Sequence, residues 1–117
     1  MPIRLYHNPR CSKSREALAL LREHGVEPQV VEYLKQPPSA AELDRLLVQL
    51  GMEPRQLMRR GEAVYKELDL DDLALSRAAL IDAMVRQPIL IERPIAVSGK
   101  RAVIGRPPER VLELIGA

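Results

Sequence analysis

The sequence predicts an α/β fold built on a mixed four-stranded sheet, with a block of helices inserted in the middle of the chain. Three observations carry this. A short alternating stretch, Ile3-Arg4-Leu5-Tyr6, leads through a helical pattern into the β-branched and aromatic stretch Val30-Val31-Glu32-Tyr33. Two apolar stretches, Ile95-Ala96-Val97 and Ala102-Val103-Ile104, flank the turn sequence Ser98-Gly99-Lys100-Arg101. Between these halves, over roughly residues 39–87, every pattern is helical.

Each element has a local reason. Ala17, Leu18, Leu20 and Leu21 recur at helical spacing, so a first helix is expected from about Ser12 to His24, closed by Gly25. Strand, helix and strand at this spacing form a βαβ unit, whose strands are parallel and whose crossover is right-handed. Pro37-Pro38 breaks the chain, and Ser39 with Glu42 makes a capping box for a helix over Ala40 to Leu50. Pro54 opens a short helix, another is expected near Val64 to Leu68, and Ser76 caps a further one to about Arg86. The two later strands form an antiparallel hairpin. A last helix is expected from Val111 to Ile115, after Pro107-Pro108. No flexible linker flanks the helical block, so residues 1–117 are expected to form a single domain with an insertion at about 39–87.

Composition narrows the class. At 46% apolar and 29% charged residues, the chain is ordinary globular material. It has no Trp or Phe, so its core must be aliphatic. A net charge of +2, with no long basic run, gives no footprint for nucleic acid. No apolar run approaches the ~20 residues of a membrane span. Met1-Pro2-Ile3-Arg4 shows no apolar leader, so a cytoplasmic setting is expected. One cysteine can form neither an internal disulfide nor a thiolate metal cluster, and no His/Cys/Asp group has metal-ligand spacing. No bound cofactor is expected.

That cysteine, Cys11, lies in the strand-to-helix loop His7-Asn8-Pro9-Arg10-Cys11-Ser12-Lys13-Ser14-Arg15. The first N–H groups of a helix lack intrahelical partners and carry the positive end of its dipole. A thiol placed there is driven toward thiolate, from about 8.5 to roughly 3.5–7.5. Arg10, Lys13 and Arg15 add positive charge, and the same place suits an incoming anion. A lone cysteine can equally be a small buried hydrophobe; here its flanks are cationic and polar. His7 is either a loop histidine bonding nearby backbone or a neighbour that orients the thiolate. Asn8 and Ser14 are candidate donors to the sulfur or to a bound anion.

The segment His7 to Arg15 resembles the signature loop of the glutathione- and glutaredoxin-dependent arsenate reductases, His-Asn-Pro-x-Cys-x-x-Ser-Arg. From about Ile3 to Leu114 the chain follows that family's order of segments, and it looks closest to a short subgroup of it. The resemblance implies a thioredoxin-like fold, with a cis proline beside the cysteine loop at Arg93-Pro94. It also singles out three arginines that are otherwise indistinguishable from surface charges. Arg59 in Leu57-Met58-Arg59, Arg93 in Arg93-Pro94-Ile95 and Arg106 in Gly105-Arg106-Pro107 match the family's oxyanion-binding arginines. Guanidinium forks suit tetrahedral oxyanions and favour a thiolate.

The implied activity is reduction of arsenate to arsenite through a covalent Cys11–arsenate intermediate, with electrons from glutathione and glutaredoxin. With no second cysteine in the sequence, the resolving thiol must come from outside, which excludes an internal cysteine relay. Two other readings share the resemblance. One is a glutathione-dependent reductase of small disulfides. The other is a non-catalytic regulator that docks on RNA polymerase, like the Spx-type proteins of this fold, which usually lack the full His-Asn-Pro start.

Overall fold

The computed structural model describes residues 2–115. The chain divides into two compact units, one from the residues up to Gln36 together with those from Arg93 onward, the other from Pro37–Glu92. The helices of the second unit begin at Ala40 and end at Arg86, with a 3-10 turn over Pro88–Leu90.

The first unit is the sheet. Its strands are β1 (Ile3–His7), β2 (Gln29–Glu32), β3 (Ile95–Ser98) and β4 (Arg101–Ile104), in the order β2-β1-β3-β4. β1 runs parallel to β2 and antiparallel to β3, and β3 pairs antiparallel with β4. Gly99 takes the left-handed conformation (φ +60°) that the tight hairpin turn requires. Helix α1 (Ser12–Glu23) makes the crossover from β1 to β2. It packs Ala17 and Leu21 onto Ile3 and Leu5 of β1, with Ala96, Val103 and Val111 completing an aliphatic core. Burying one such side chain fully contributes about 1.5–3 kcal/mol. The C-terminal element is a 3-10 helix over Pro108–Leu114, not an α-helix beginning at Val111. Pro108 initiates it three residues early, and its backbone settles into i→i+3 bonds such as Arg110 N–H to the Pro107 carbonyl (3.0 Å).

The second unit is all-helical. It comprises α2 (Ala40–Leu50), α3 (Pro54–Leu57), α4 (Ala63–Glu67), α5 (Arg77–Arg86) and a 3-10 turn at Pro88–Leu90. The Ser39/Glu42 capping box closes at the start of α2, and Ser76 Oγ accepts the Ala79 N–H at 3.1 Å on α5. Such caps contribute about 1 kcal/mol each. Leu43, Leu46 and Leu47 of α2 are buried, as are Leu80, Ile81 and Met84 of α5. Arg77 ties the two helices through Asp44 at 2.9 Å. The unit closes on a single antiparallel bridge, Met58 with Ile91.

Candidate active site

Cys11 is the N-cap of α1, in extended conformation (φ −94°, ψ 123°) and 8% exposed. The loop that carries it is held by its own polar groups. The Asn8 carbonyl accepts the Cys11 N–H, and Asn8 Oδ1 accepts the Arg10 N–H, both at 3.0 Å. Arg15 reaches back to donate to the Pro9 carbonyl at 3.0 Å. Inside the loop, the fully buried Ser14 hydroxyl accepts the Asn8 N–H at 3.1 Å and shares a 2.5 Å hydrogen bond with His7 Nδ1. The side chains of Asn8 and Ser14 thus bond within the loop, and it is Ser14's backbone that acts on the sulfur.

The sulfur occupies the place of a capping oxygen. It closes no capping bond of strict geometry, yet the N–H groups of Ser14 and Lys13 act on it. Burial pushes the thiol pKa up. The Ser14 N–H, the charge and hydrogen bond of Arg93 and the Lys13 N–H outweigh it, and the pKa falls below its ordinary value. The cation that matters is therefore Arg93, distant in sequence, and not the charges of Arg10, Lys13 and Arg15. Those local side chains are exposed, where water screens them. His7 is 6% exposed, and burial is the main cause lowering its pKa. Arg22 and Arg15 lower it further against an opposing pull from Glu32, which leaves the ring neutral near pH 7.

Register explains why Arg93 arrives here. Tyr6, one residue before the end of β1, lies opposite Ile95, the first residue of β3. The Arg93-Pro94 step immediately precedes β3 and so flanks the loop that follows β1. Arg93-Pro94 is cis, as the resemblance implied, and Arg106-Pro107 is cis as well, which the sequence reading did not anticipate. Within the Arg93 guanidinium, Nε and Nη1 are fully buried.

Arg106 is exposed, and its Nε donates to the Arg93 carbonyl at 2.9 Å. Gly105 joins the same grip, its N–H donating to the Pro94 carbonyl at 2.9 Å. A Cβ at Gly105 would lie 2.8 Å from Pro94 Cγ and 3.0 Å from Val111 Cγ1, so the close approach needs glycine. Sequence reasoning missed Gly105. Arg59 lies in the helical unit. Its N–H donates to the Leu90 carbonyl at 2.7 Å, and its guanidinium pairs with Glu62 at 2.8 Å.

Among the described residues no group of His, Cys, Asp or Glu side chains is placed to hold a metal ion. No helix there is long and apolar enough to cross a membrane.

A mixed sheet with a βαβ start, a cis proline before β3 and a cysteine at the N-cap of α1 define a thioredoxin-like protein. Residues 6–114 match the ArsC family, and the chain belongs to that family. It is 60% identical over 115 residues to the uncharacterised protein YfgD of Escherichia coli, covering 97% of each chain. It is 48% identical to an arsenate reductase of Haemophilus influenzae, covering 98% of this chain and 100% of that one. An arsenate reductase structure from Vibrio cholerae superposes with a TM-score of 0.95 at 55% identity, covering 98% of each chain.

Proposed function

We propose that this chain reduces arsenate to arsenite, with Cys11 as nucleophile and glutathione and glutaredoxin as the source of electrons. The Cys11 sulfur attacks As(V). An S–As bond forms, an As–O bond breaks, and the departing oxygen leaves as water with the thiol proton; arsenic remains pentavalent. A glutathione thiol then attacks the Cys11 sulfur. An S–S bond forms, the S–As bond breaks, and its electron pair leaves on arsenic as arsenite. A second glutathione, through glutaredoxin, frees Cys11 and becomes oxidised glutathione. The balance is arsenate plus two glutathiones to arsenite, one glutathione disulfide and water.

The observation that carries this reading is the Arg93 guanidinium acting on a thiol at a helix N-cap. Such a group favours the thiolate, and its forked charged donors suit the oxyanion that the thiolate would attack. Arg106 is assigned to the same anion, with its hold on the Arg93 carbonyl as support. Arg59 is assigned by resemblance to the family motif. The names of the relatives point the same way. A free functional thiol suits a reducing, cytoplasmic setting.

The test is arsenite formation from arsenate with glutathione and glutaredoxin, on the parent and on Cys11→Ser. Turnover in the parent and none in Cys11→Ser is the expected result. If neither forms arsenite while the parent still reduces a small glutathione mixed disulfide, the disulfide-reductase reading takes its place.

A further inference from the structure

The Cys11 loop has a second flank. His7, the last residue of β1, lies opposite Glu32, the last residue of β2. Beyond that pair a cavity of about 220 Å³ opens between the His7–Arg10 segment and a wall made by Glu32, Leu34 and Lys35. Both walls are fixed by backbone. The Glu32 carbonyl accepts the N–H groups of Lys35 and Gln36, both at 2.9 Å, and Tyr33 anchors the turn at 1% exposure. The opposite wall is the Asn8 turn already described. Arg93-Pro94 immediately precedes β3, on the other side of β1 from β2, and Arg93 acts on the Cys11 sulfur, while the cavity is lined by Arg10, the residue before Cys11.

The geometry points to this cavity as the seat of the external thiol, a small zwitterionic peptide of the glutathione kind. The inference rests on the reading of Cys11 as a nucleophile resolved from outside. If the oxyanion takes the Arg93 side, the reductant needs another approach to the sulfur, and the cavity shares the Arg10 wall next to Cys11. Its charge pattern fits the ligand. Arg10 and Lys35 supply two cations and Glu32 one carboxylate, against the two carboxylates and one ammonium of glutathione. Lys35 Nζ is 3.7 Å from Glu32 Oε1 with both side chains well exposed, a weak pair that a ligand can replace. Leu34, 40% exposed, offers an apolar surface to the ligand's methylenes.

The experiment separates this site from arsenate turnover by using S-methylglutathione, which has no thiol. It is titrated at matched ionic strength against the parent and against Arg10→Glu, Lys35→Glu and the double variant, with amide NMR shifts as readout. Melting temperatures check that each variant folds. Shifts should gather at Asn8–Arg10 and Glu32–Lys35. Each reversal should weaken binding about threefold, and the double about tenfold. With glutathione as reductant, the ratio of its KM to that of uncharged 2-mercaptoethanol should rise by similar factors. Shifts confined to the Arg93–Pro94 flank, or affinity unchanged in the double variant, would overturn the assignment even if arsenate is reduced. Cavity shifts that persist in a protein unable to reduce arsenate would keep the thiol site and remove only the arsenate reading.

Discussion

The dipeptide Arg-Pro occurs twice in the sheet unit, at Arg93-Pro94 and at Arg106-Pro107, and the two copies do different work. Both peptide bonds are cis and both lie at the edge of a regular element. Arg93 points inward, with two nitrogens fully buried and its guanidinium on the Cys11 sulfur. Arg106 is exposed and donates to the carbonyl of Arg93. One arginine acts on the Cys11 sulfur. The other holds the backbone from which the first one reaches. Identical local chemistry is sorted by the strand register, which brings the start of β3 beside the end of β1.

The sharpest way to break this contrast is Arg93→Ala. It removes a charge and a hydrogen bond from the thiolate, while burial, which opposes the thiolate, remains. The midpoint of iodoacetamide alkylation against pH should rise toward that of a free thiol. Loss of a charged donor at the reacting centre should lower kcat/KM for arsenate by about 10²–10³. Linkage fixes the sign for stability. The folded thiol pKa is depressed, so the stability it contributes is fully present above the unfolded thiol pKa. It is lost as pH falls through the folded value. The stability of the parent relative to Arg93→Ala should therefore grow as pH rises through that window. A flat difference across it would detach Arg93 from the sulfur.

Gly105→Ala attacks the support without touching either arginine. The new methyl meets Pro94 Cγ at 2.8 Å and Val111 Cγ1 at 3.0 Å, and a proline ring yields little. Overpacking of this kind costs about 1–3 kcal/mol, and thermal unfolding should occur several degrees lower. Because the displaced atom belongs to Pro94, the Cys11 alkylation midpoint should move upward too. A lower melting temperature with an unmoved midpoint would confine Gly105 to packing.

Ser14→Ala should separate the two readouts. It strips a buried hydroxyl from His7 Nδ1 and the Asn8 N–H, at a cost of about 1–3 kcal/mol. The Ser14 N–H that favours the thiolate stays. Stability should fall while the alkylation midpoint holds nearly still. A midpoint that rises as far as in Arg93→Ala would show that the hydroxyl, not the backbone, governs the sulfur.

Much of this was legible before any coordinates. Hydrophobic period and turn residues gave the strands, the hairpin turn within Ser98–Arg101 and the Ser39 capping box, because those depend on neighbours within a few residues. Cys11 at the helix start was legible for the same reason. Which cation tunes the thiol was not. Arg10, Lys13 and Arg15 are close in sequence but exposed, and Arg93 arrives only through sheet pairing. Gly105 was invisible because its constraint is a contact with Pro94, eleven residues away in sequence and set by the β3–β4 pairing. The Glu32–Lys35 wall was missed because a cavity is a property of two segments together.

Arg106→Ala is the smallest change and the one that defines the second half of the comparison. If Arg106 works mainly through the Arg93 carbonyl, its loss removes one exposed neutral-acceptor hydrogen bond, worth about 0.5–1.5 kcal/mol. The Gly105 N–H still holds the Pro94 carbonyl at 2.9 Å, so the step is loosened but not released. Arsenate kcat/KM should drop about two- to tenfold, with a small upward drift of the alkylation midpoint. If Arg106 instead grips the oxyanion directly, removing it should raise the arsenate KM strongly and leave the midpoint of the anion-free protein in place. The two results differ in which quantity moves. Paired measurement of KM and alkylation midpoint on Arg106→Ala and Arg106→Lys therefore decides between a buttress and a binding arginine. Lysine can keep the charge but loses the planar fork. A KM restored by Arg106→Lys would favour direct contact with the anion. A midpoint that drifts equally in both variants would favour the hold on Arg93.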